Sequence, residues 1–420
     1  MLYNVGMKEN IFTTAIVGGG ASGLFLASAL SPAFGKVALF ERGERVGRKL
    51  SATGNGQGNI TNAKAETEEY FSATASGDRI GAIVRAFPPQ TLRLAMEELG
   101  LLLVEDERGR VYPAGRQASA ITDALRFAAA RSDVKLYMDT EITRLEKRGG
   151  LFVLSAQTPD GEKEYRAETV VLCTGGKAAK NFGTDGTAYA LAQGFGHTLT
   201  PLFPSLVQLK TDTAHTKTLK GIRVAGARLT ATWREDGTFR SHTLDGDVIF
   251  TDYGVSGDAV FRISAYIAHR ISKETTLSLD LLPDFSEERI FAALTEKCKR
   301  CPDLPIGELL GGIVNNQVGR AVMKRAGGDL HAAAKLVKAF TLSVCGSLGF
   351  DYAQVTKGGV PMHEVDEHLQ SKRVDGLYFA GETLDVDGQC GGFNLQWAYS
   401  SARTVACALE AKKRVDRGHV

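Results

Sequence analysis

Residues 15–24 read AIVGGGASGL, and what surrounds them decides how the chain begins. A short apolar strand is predicted from Phe12 to Val17, followed by a glycine turn and an apolar helix from about Ala21 to Leu30. A second strand is predicted over Lys36–Phe40 and ends at Glu41. Strand, turn, helix and strand in this order open a βαβ unit. Gly18, Gly20 and Gly23 fit G-x-G-x-x-G, with Ala21 and Ser22 opening the helix. In such a turn the first glycine permits the sharp reversal and the second admits backbone close to a pyrophosphate. The third lets helix and strand pack closely. The phosphates sit at the helix N-terminus, where free N–H groups and the dipole favour an anion. Glu41, 18 residues after Gly23, is placed for the adenosine ribose hydroxyls, with Arg42 beside it.

This fingerprint serves NAD and FAD alike, and the far end of the chain separates them. LYFAGE, residues 377–382, is an apolar strand ending at Gly381 and Glu382; Asp385 follows, and Gly391, Gly392, Phe393 and Asn394 open another helix. An FAD laid across a Rossmann sheet needs a second set of contacts near its ribityl and isoalloxazine parts, whereas a plain NAD dehydrogenase does not. No Lys or Arg occurs between Lys372–Arg373 and Arg403. The helix start at Gly391–Asn394, with about half a positive charge, is therefore expected to meet the negative charge of reduced flavin. The glycines at 391 and 392 would let that backbone reach the ring edge.

The loop GRKLSATGNGQGNITN, residues 47–62, lies between these ends in function. Arg48 and Lys49 are expected to neutralise pyrophosphate. Thr53, Gly54, Asn55 and Gly56 offer hydrogen bonds where larger side chains would obstruct a flavin. Asn59 and Asn62 are expected to fix the loop or reach the ring.

The rest of the chain sets limits. Its 420 residues suggest two or three domains. Fifty basic and 48 acidic residues give a net charge of +2, which argues neither for nor against nucleic acid. Six scattered cysteines do not make a disulfide framework. No signal-peptide layout and no run of 18 apolar residues is present, so a cytoplasmic protein without a membrane span is expected. Residues 80–102 and 116–131 read as helices, and 134–174 as strands. Short strands are expected over about 200–282, helices over 285–340, and strand again in VTKGGVPMHEV. The expected fold is α/β: a discontinuous Rossmann-type FAD-binding domain, 1–200 plus 350–420. Inserted into it are an antiparallel β unit (201–283 plus 341–349) and a small helical unit (284–340).

AIVGGGASGL, the 47–62 loop, GRVYPAGRQAS, CTGGKA, GDVIFTDYGVSGDAV, VTKGGVPMHEV and GLYFAGETLDVDGQCGGFNLQWAYSSA together resemble one family. It is the bacterial NAD(P)/FAD-dependent oxidoreductases that include aminoacetone oxidase and a bile-acid enone reductase. The fumarate reductase flavoproteins are more distantly similar. The resemblance adds Thr174, Gly175 and Gly176 to the cofactor contacts. It implies hydride delivery from reduced flavin to an electron-poor C=C bond, in a small enone or a uracil within RNA. No second dinucleotide fingerprint follows a strand, so NAD(P)H would donate electrons by binding transiently at the flavin face, or electrons would come from elsewhere. Two alternatives stay open: an amine or aminoketone oxidase using oxygen, and an FAD-binding module for RNA or another partner with little turnover. The chain departs from the family at Gln57-Gly58, where Arg-Cys is usual, at Asp252, where His is common, and at Asp258, where Pro is common. Roles tied to that cysteine or histidine do not carry over.

Asp252, Tyr253 and His363 are the acid/base candidates; Glu364 and Asp366 are read either as substrate neighbours or as a polar strand end. Cys298 and Cys301 form a C-x-x-C without further ligands nearby, so no metal site is expected. Cys390 abuts the flavin loop as a small filler or a reactive thiol.

Overall fold

The computed structural model describes residues 11–65 and 69–418, with side chains to residue 415. The chain divides into two compact units: one runs to Leu202 and resumes at Val355, and the other is Phe203–Gln354.

The first unit is built on a parallel sheet. Strand β1 (Ile11–Val17) leads into helix α1 (Ala21–Ala29) and strand β2 (Val37–Phe40). β1 pairs with β2 on one side and with strand β3 (Gly161–Leu172) on the other. A short strand β4 (Val355–Lys357) precedes strand β5 (Leu377–Phe379), which pairs in parallel with the end of β3. Val134–Tyr137 extends the sheet beyond β2, and Leu151–Thr158 pairs antiparallel with the first half of β3. The central strands are apolar runs because both sheet faces are covered: Ala15, Ile16, Leu39, Val170, Val171, Leu172 and Phe379 are all buried. The closing helix α2 (Phe393–Gly418) packs on α1, with the Phe25 and Tyr399 rings edge to face at 5.3 Å.

Register carries the functional consequence. Phe40, Val17, Leu172 and Phe379 lie side by side across four strands. The residues that follow them, Glu41, Gly18, Cys173 and Ala380, therefore share one sheet edge. In open α/β sheets this carboxyl edge is where ligands bind.

Several local expectations are corrected. Residues 80–102 form two helices, Gly77–Ala86 and Pro89–Glu98, because Pro88 and Pro89 interrupt the first and start the second. The β-rich segment contains a helix, Asp258–Ile267, which buries Ala259, Val260, Ile263 and Ile267 along one face. The motif VTKGGVPMHEV is strand only at β4, followed by a 3-10 turn at Met362–Glu364.

In the second unit, six strands close into an antiparallel barrel, with the long hairpin Arg223–Glu235 and Thr238–Phe250 at its heart. Helices Glu287–Arg300, Asn316–Arg325 and Leu330–Lys338 follow. Their Ile290, Leu294, Val322 and Val337 join the same apolar core as barrel residues Leu229, Phe250 and Leu279. The stretch 284–340 thus shares a core with the barrel.

Candidate dinucleotide site

Gly18 has φ of +105°, and a Cβ there would lie 2.5 Å from the Cys173 carbonyl oxygen. The turn can therefore hug the end of β3 only as glycine. A Cβ on Gly23 would stand 2.0 Å from the Gly18 oxygen, so α1 packs directly on its own turn. Gly20 differs: a Cβ there would meet nothing within 4 Å. It is the N-cap of α1, with no side-chain cap and no acidic residue in the first turn. An uncapped helix N-terminus facing open space suits a phosphate.

Glu41 stands beside this turn. Its Oε2 accepts from the Gly19 amide at 2.9 Å and its Oε1 from the Gly43 amide at 2.8 Å. Burial raises its pKa, against those bonds and the charges of Arg42 and Arg48. The carboxylate is held in one orientation, and its remaining lone pairs suit ribose hydroxyls.

The expected pyrophosphate cations all have partners within the protein. Lys49 Nζ meets Glu382 Oε2 at 2.8 Å. Arg48 donates to the Asn181 carbonyl at 2.8 Å. Arg42 donates to the Gly183 carbonyl and pairs with Asp185 at 3.1 Å. These side chains tie the β2 and 47–62 segments to distant parts of the unit.

Within the 47–62 loop, Thr53 Oγ1 donates to the Leu50 carbonyl at 2.7 Å, and Gly54, Asn55 and Gly56 all have positive φ. A Cβ on Gly58 would lie 2.8 Å from Ala118 Cα, so this departure from the family pattern packs the loop against helix Ala118–Arg131. Asn62 donates to the Gly391 carbonyl at 3.0 Å. Asn59 Oδ1 is buried without a hydrogen-bond partner, which is expected of an atom whose partner is a ligand.

At the other chain end, Thr174 and Thr383 hydroxyls are 3.4 Å apart. Thr356 Oγ1 accepts from the Lys177 and Ala178 amides at 2.7 and 2.9 Å, while its own amide donates to Glu382 Oε1 at 2.8 Å. Gly175 has positive φ, and a Cβ on Gly176 would collide with Thr356 Oγ1. Gly381 abuts Ser22 of α1: a Cβ there would be 2.7 Å from Ser22 Oγ. Residues from both chain ends thus frame one edge.

Residues expected at the flavin also make contacts within the protein. Asp385 Oδ2 accepts from Ser72 Oγ, the Ala73 amide and Thr74 Oγ1 at 3.2, 3.1 and 2.7 Å, and burial raises its pKa. Asn394 bonds both the amide and the carbonyl of Gly388 at 2.8 Å. Gly392 is glycine because a Cβ would lie 2.3 Å from the Thr61 carbonyl group. Gly392 thereby admits the backbone of Thr61, whereas a Cβ on Gly391 would make only ordinary contacts, the nearest with Asn62 Nδ2 at 3.5 Å. Phe393 packs edge to face on Tyr70 at 6.1 Å.

The acid/base candidates belong to both units. Asp252 is on an exposed turn, ion-paired to Lys220 at 2.7 Å, and that contact lowers its pKa. Tyr253 is its neighbour in the barrel unit, and its carbonyl accepts from Thr211. His363 is exposed in the first unit, and Lys372 donates to its carbonyl. Glu364 is a buried hub instead: it accepts from Thr198 Oγ1 at 2.7 Å, meets His197 Nδ1 at 2.7 Å and pairs with Arg373 at 3.0 Å. Asp366 closes a turn onto the His368 and Gln370 amides. Asp258 lies at the start of helix Asp258–Ile267, 3.9 Å from Arg262. None of the six cysteines is in a disulfide, Cys298 and Cys301 are exposed, and burial pushes Cys173 up to about 12. Cys390 is half-buried. Among the described residues no group of three or more His, Cys, Asp and Glu is placed to hold a metal.

Sequence patterns miss two buried polar contacts, the His197–Glu364 hydrogen bond and the Lys357–Asp387 ion pair. His197 carries no motif. Lys357 does carry a signal, as the one cation inside the glycine-flanked stretch VTKGGV.

An α/β sheet whose carboxyl edge assembles G-x-G-x-x-G, an oriented glutamate and a second glycine-rich strand end defines a Rossmann-type flavoprotein. Within that class the chain belongs to the HI0933-like family, whose "HI0933-like protein Rossmann domain" matches residues 12–408, and it is an FAD-dependent oxidoreductase. It is 33% identical over 403 residues to the 3-dehydro-bile acid delta(4,6)-reductase of Clostridium scindens, covering 92% of this chain and 96% of that one. It is 29% identical over 426 residues to the ribosomal RNA dihydrouridine synthase of Haemophilus influenzae, covering 97% and 99%. The fold resembles that of 3-ketosteroid-delta4-(5alpha)-dehydrogenase from Rhodococcus jostii RHA1, with a TM-score of 0.52 at 16% identity over 97% of this chain and 98% of the other. Among the described residues no helix is long and apolar enough to cross a membrane.

Proposed function

We propose that this protein reduces an activated carbon–carbon double bond, with NAD(P)H as transient electron donor. The observation that carries the reading is the 33% identity, across 92% of the chain, to a protein named as a delta(4,6)-reductase. The dihydrouridine synthase name of a second relative denotes the same bond change on a uracil. The substrate class is accordingly a small enone or a nucleobase in RNA, and the cytoplasm is the compartment we assign.

FAD, when bound, supplies the hydride chemistry, and the chain's own residues bind and orient it. The open helix start at Gly20 and its neighbours Ala21 and Ser22 would hold the pyrophosphate, and Glu41 the ribose. Thr53–Gly56, Asn59, Thr174–Gly176 and Gly381 would line the path toward the ring. The exposed Asp252–Lys220 pair favours the ionised carboxylate and so gives Asp252 little capacity as an acid. Tyr253 and His363 keep their candidacy as proton donors.

The test is anaerobic. Purified protein is reduced with NADH or NADPH, and steroidal enones, small enones and uridine-containing RNA are offered as acceptors. Reoxidation by an enone or by RNA supports the reading. Reoxidation only by oxygen, with an amine as the better reductant, overturns it in favour of an oxidase.

A further inference from the structure

The segment 374–402 has no basic side chain of its own, yet the fold brings the buried Lys357 to it, besides the more exposed Lys49 at Glu382 and Lys412 at Asp375. Lys357 Nζ lies 3.0 Å from Asp387 Oδ1, with the lysine side chain 14% and the aspartate 1% exposed. The same ammonium sits 4.4 Å from the centroid of the Phe71 ring. Its charge also acts on the buried carboxylate of Asp385. One cation thus faces two buried acids.

Its position is set by its neighbour. Thr356 is bonded at once to the amides that follow β3 and to Glu382 that follows β5. Lys357 is therefore anchored at the carboxyl edge of the parallel sheet, the ligand-binding edge. A buried ion pair is weak evidence for stability, because desolvating two charges costs about what their attraction returns. Charged groups buried at such an edge are candidates for function.

We infer that Lys357 is the positive charge that favours the reduced, anionic form of the bound flavin, and that Asp387 is the positioning residue that holds it. This rests on the reading of the site as an FAD site. Lys357 takes the part that the sequence pattern assigns to the backbone at Gly391–Asn394.

The experiment compares wild type with Lys357→Met, Lys357→Arg and the double variant Lys357→Met/Asp387→Asn. Each is measured for FAD content, for thermal stability and for flavin midpoint potential by dye-coupled titration with dithionite. Lys357→Met is expected to lower the preference for reduced flavin at least tenfold, about 30 mV in this two-electron couple. Lys357→Arg is expected to stay near wild type. The double variant, which no longer leaves a carboxylate without the ammonium, is expected to regain stability while its potential stays low. An FAD-replete Lys357→Met with the wild-type potential overturns the inference and leaves a structural ion pair. A double variant whose potential returns to wild type also overturns it, because the shift then came from Asp387. If Lys357→Met does not fold, the double variant decides. A double variant that folds but loses FAD makes Lys357 a binding residue and overturns the tuning role. Wild-type protein that holds no FAD would sink the reading of the site itself, a result distinct from all of these.

Discussion

Lys49 and Glu382 are 333 residues apart in the chain and their charged atoms are 2.8 Å apart in space. The contact joins the loop after β2 to the loop after β5, and it leaves the other oxygen of Glu382 to the amide of Thr356. The two halves of this arrangement are unequal. The amide belongs to a residue that is 1% exposed, whereas Lys49 keeps about a quarter of its side chain in solvent. Glu382→Ala is expected to cost about 1.5–3 kcal/mol, the worth of a hydrogen bond to a charged acceptor. Lys49→Met should cost under about 1 kcal/mol. Urea unfolding of both variants measures this, and equal losses would contradict the assignment.

Gly20 and Gly392 are predicted to fail in opposite ways. Gly20 has room for a methyl group and φ of −78°. Gly20→Ala should leave apoprotein stability within about 0.5 kcal/mol yet weaken FAD severalfold or more, since the methyl fills the space over the helix start. Gly392, at φ of +104° against the Thr61 carbonyl, has no such room. Gly392→Ala should destabilise the apoprotein by about 1–3 kcal/mol. Denaturation and FAD titration of both apoproteins decide the matter, and a destabilised Gly20→Ala would refute the open-site reading.

Glu41 is the expected ribose acceptor. One bond involving a charged group is worth roughly 1.5–3 kcal/mol, so Glu41→Ala should weaken FAD by about ten- to a hundredfold. An unchanged dissociation constant would mean that its bonds to Gly19 and Gly43 are its whole role.

Glu364 predicts a pH dependence. Burial alone would raise its pKa, but hydrogen bonds from Arg373, Thr198 and His197 outweigh that and hold it at about 2. A carboxyl depressed in the folded state contributes stability above its unfolded value near 4.5, and the contribution is lost as pH falls toward 2. Wild type should lose up to about 3 kcal/mol from this group over that window. Glu364→Gln should be less stable at neutral pH, and its deficit should shrink as the pH falls. A deficit constant from pH 7 to pH 3 would remove the ionic explanation.

Local patterns make much of the fold legible in the sequence. The βαβ start follows from an apolar run, three spaced glycines and a second apolar run, because each is a property of neighbouring residues. The apolar strand ends at 170–172 and 377–379 follow for the same reason. A single helix over 80–102 passes over Pro88-Pro89, where the chain must break, and the helix at 258–267 is hidden in a run of strand-like residues.

Which polar groups face a ligand is a different kind of question. Asn394 and Asp385 sit in a ligand-like motif, yet they satisfy Gly388 and the 72–74 segment. The sequence by itself determined that a dinucleotide turn and a glycine-rich strand end exist, since those need only local backbone geometry. The tertiary structure alone decided that Lys357 faces Asp387, that Lys49 meets Glu382 and that Glu364 is a buried hub. A buried charge takes its partner from whatever the strand register lays beside it, and register joins residues that the chain keeps far apart.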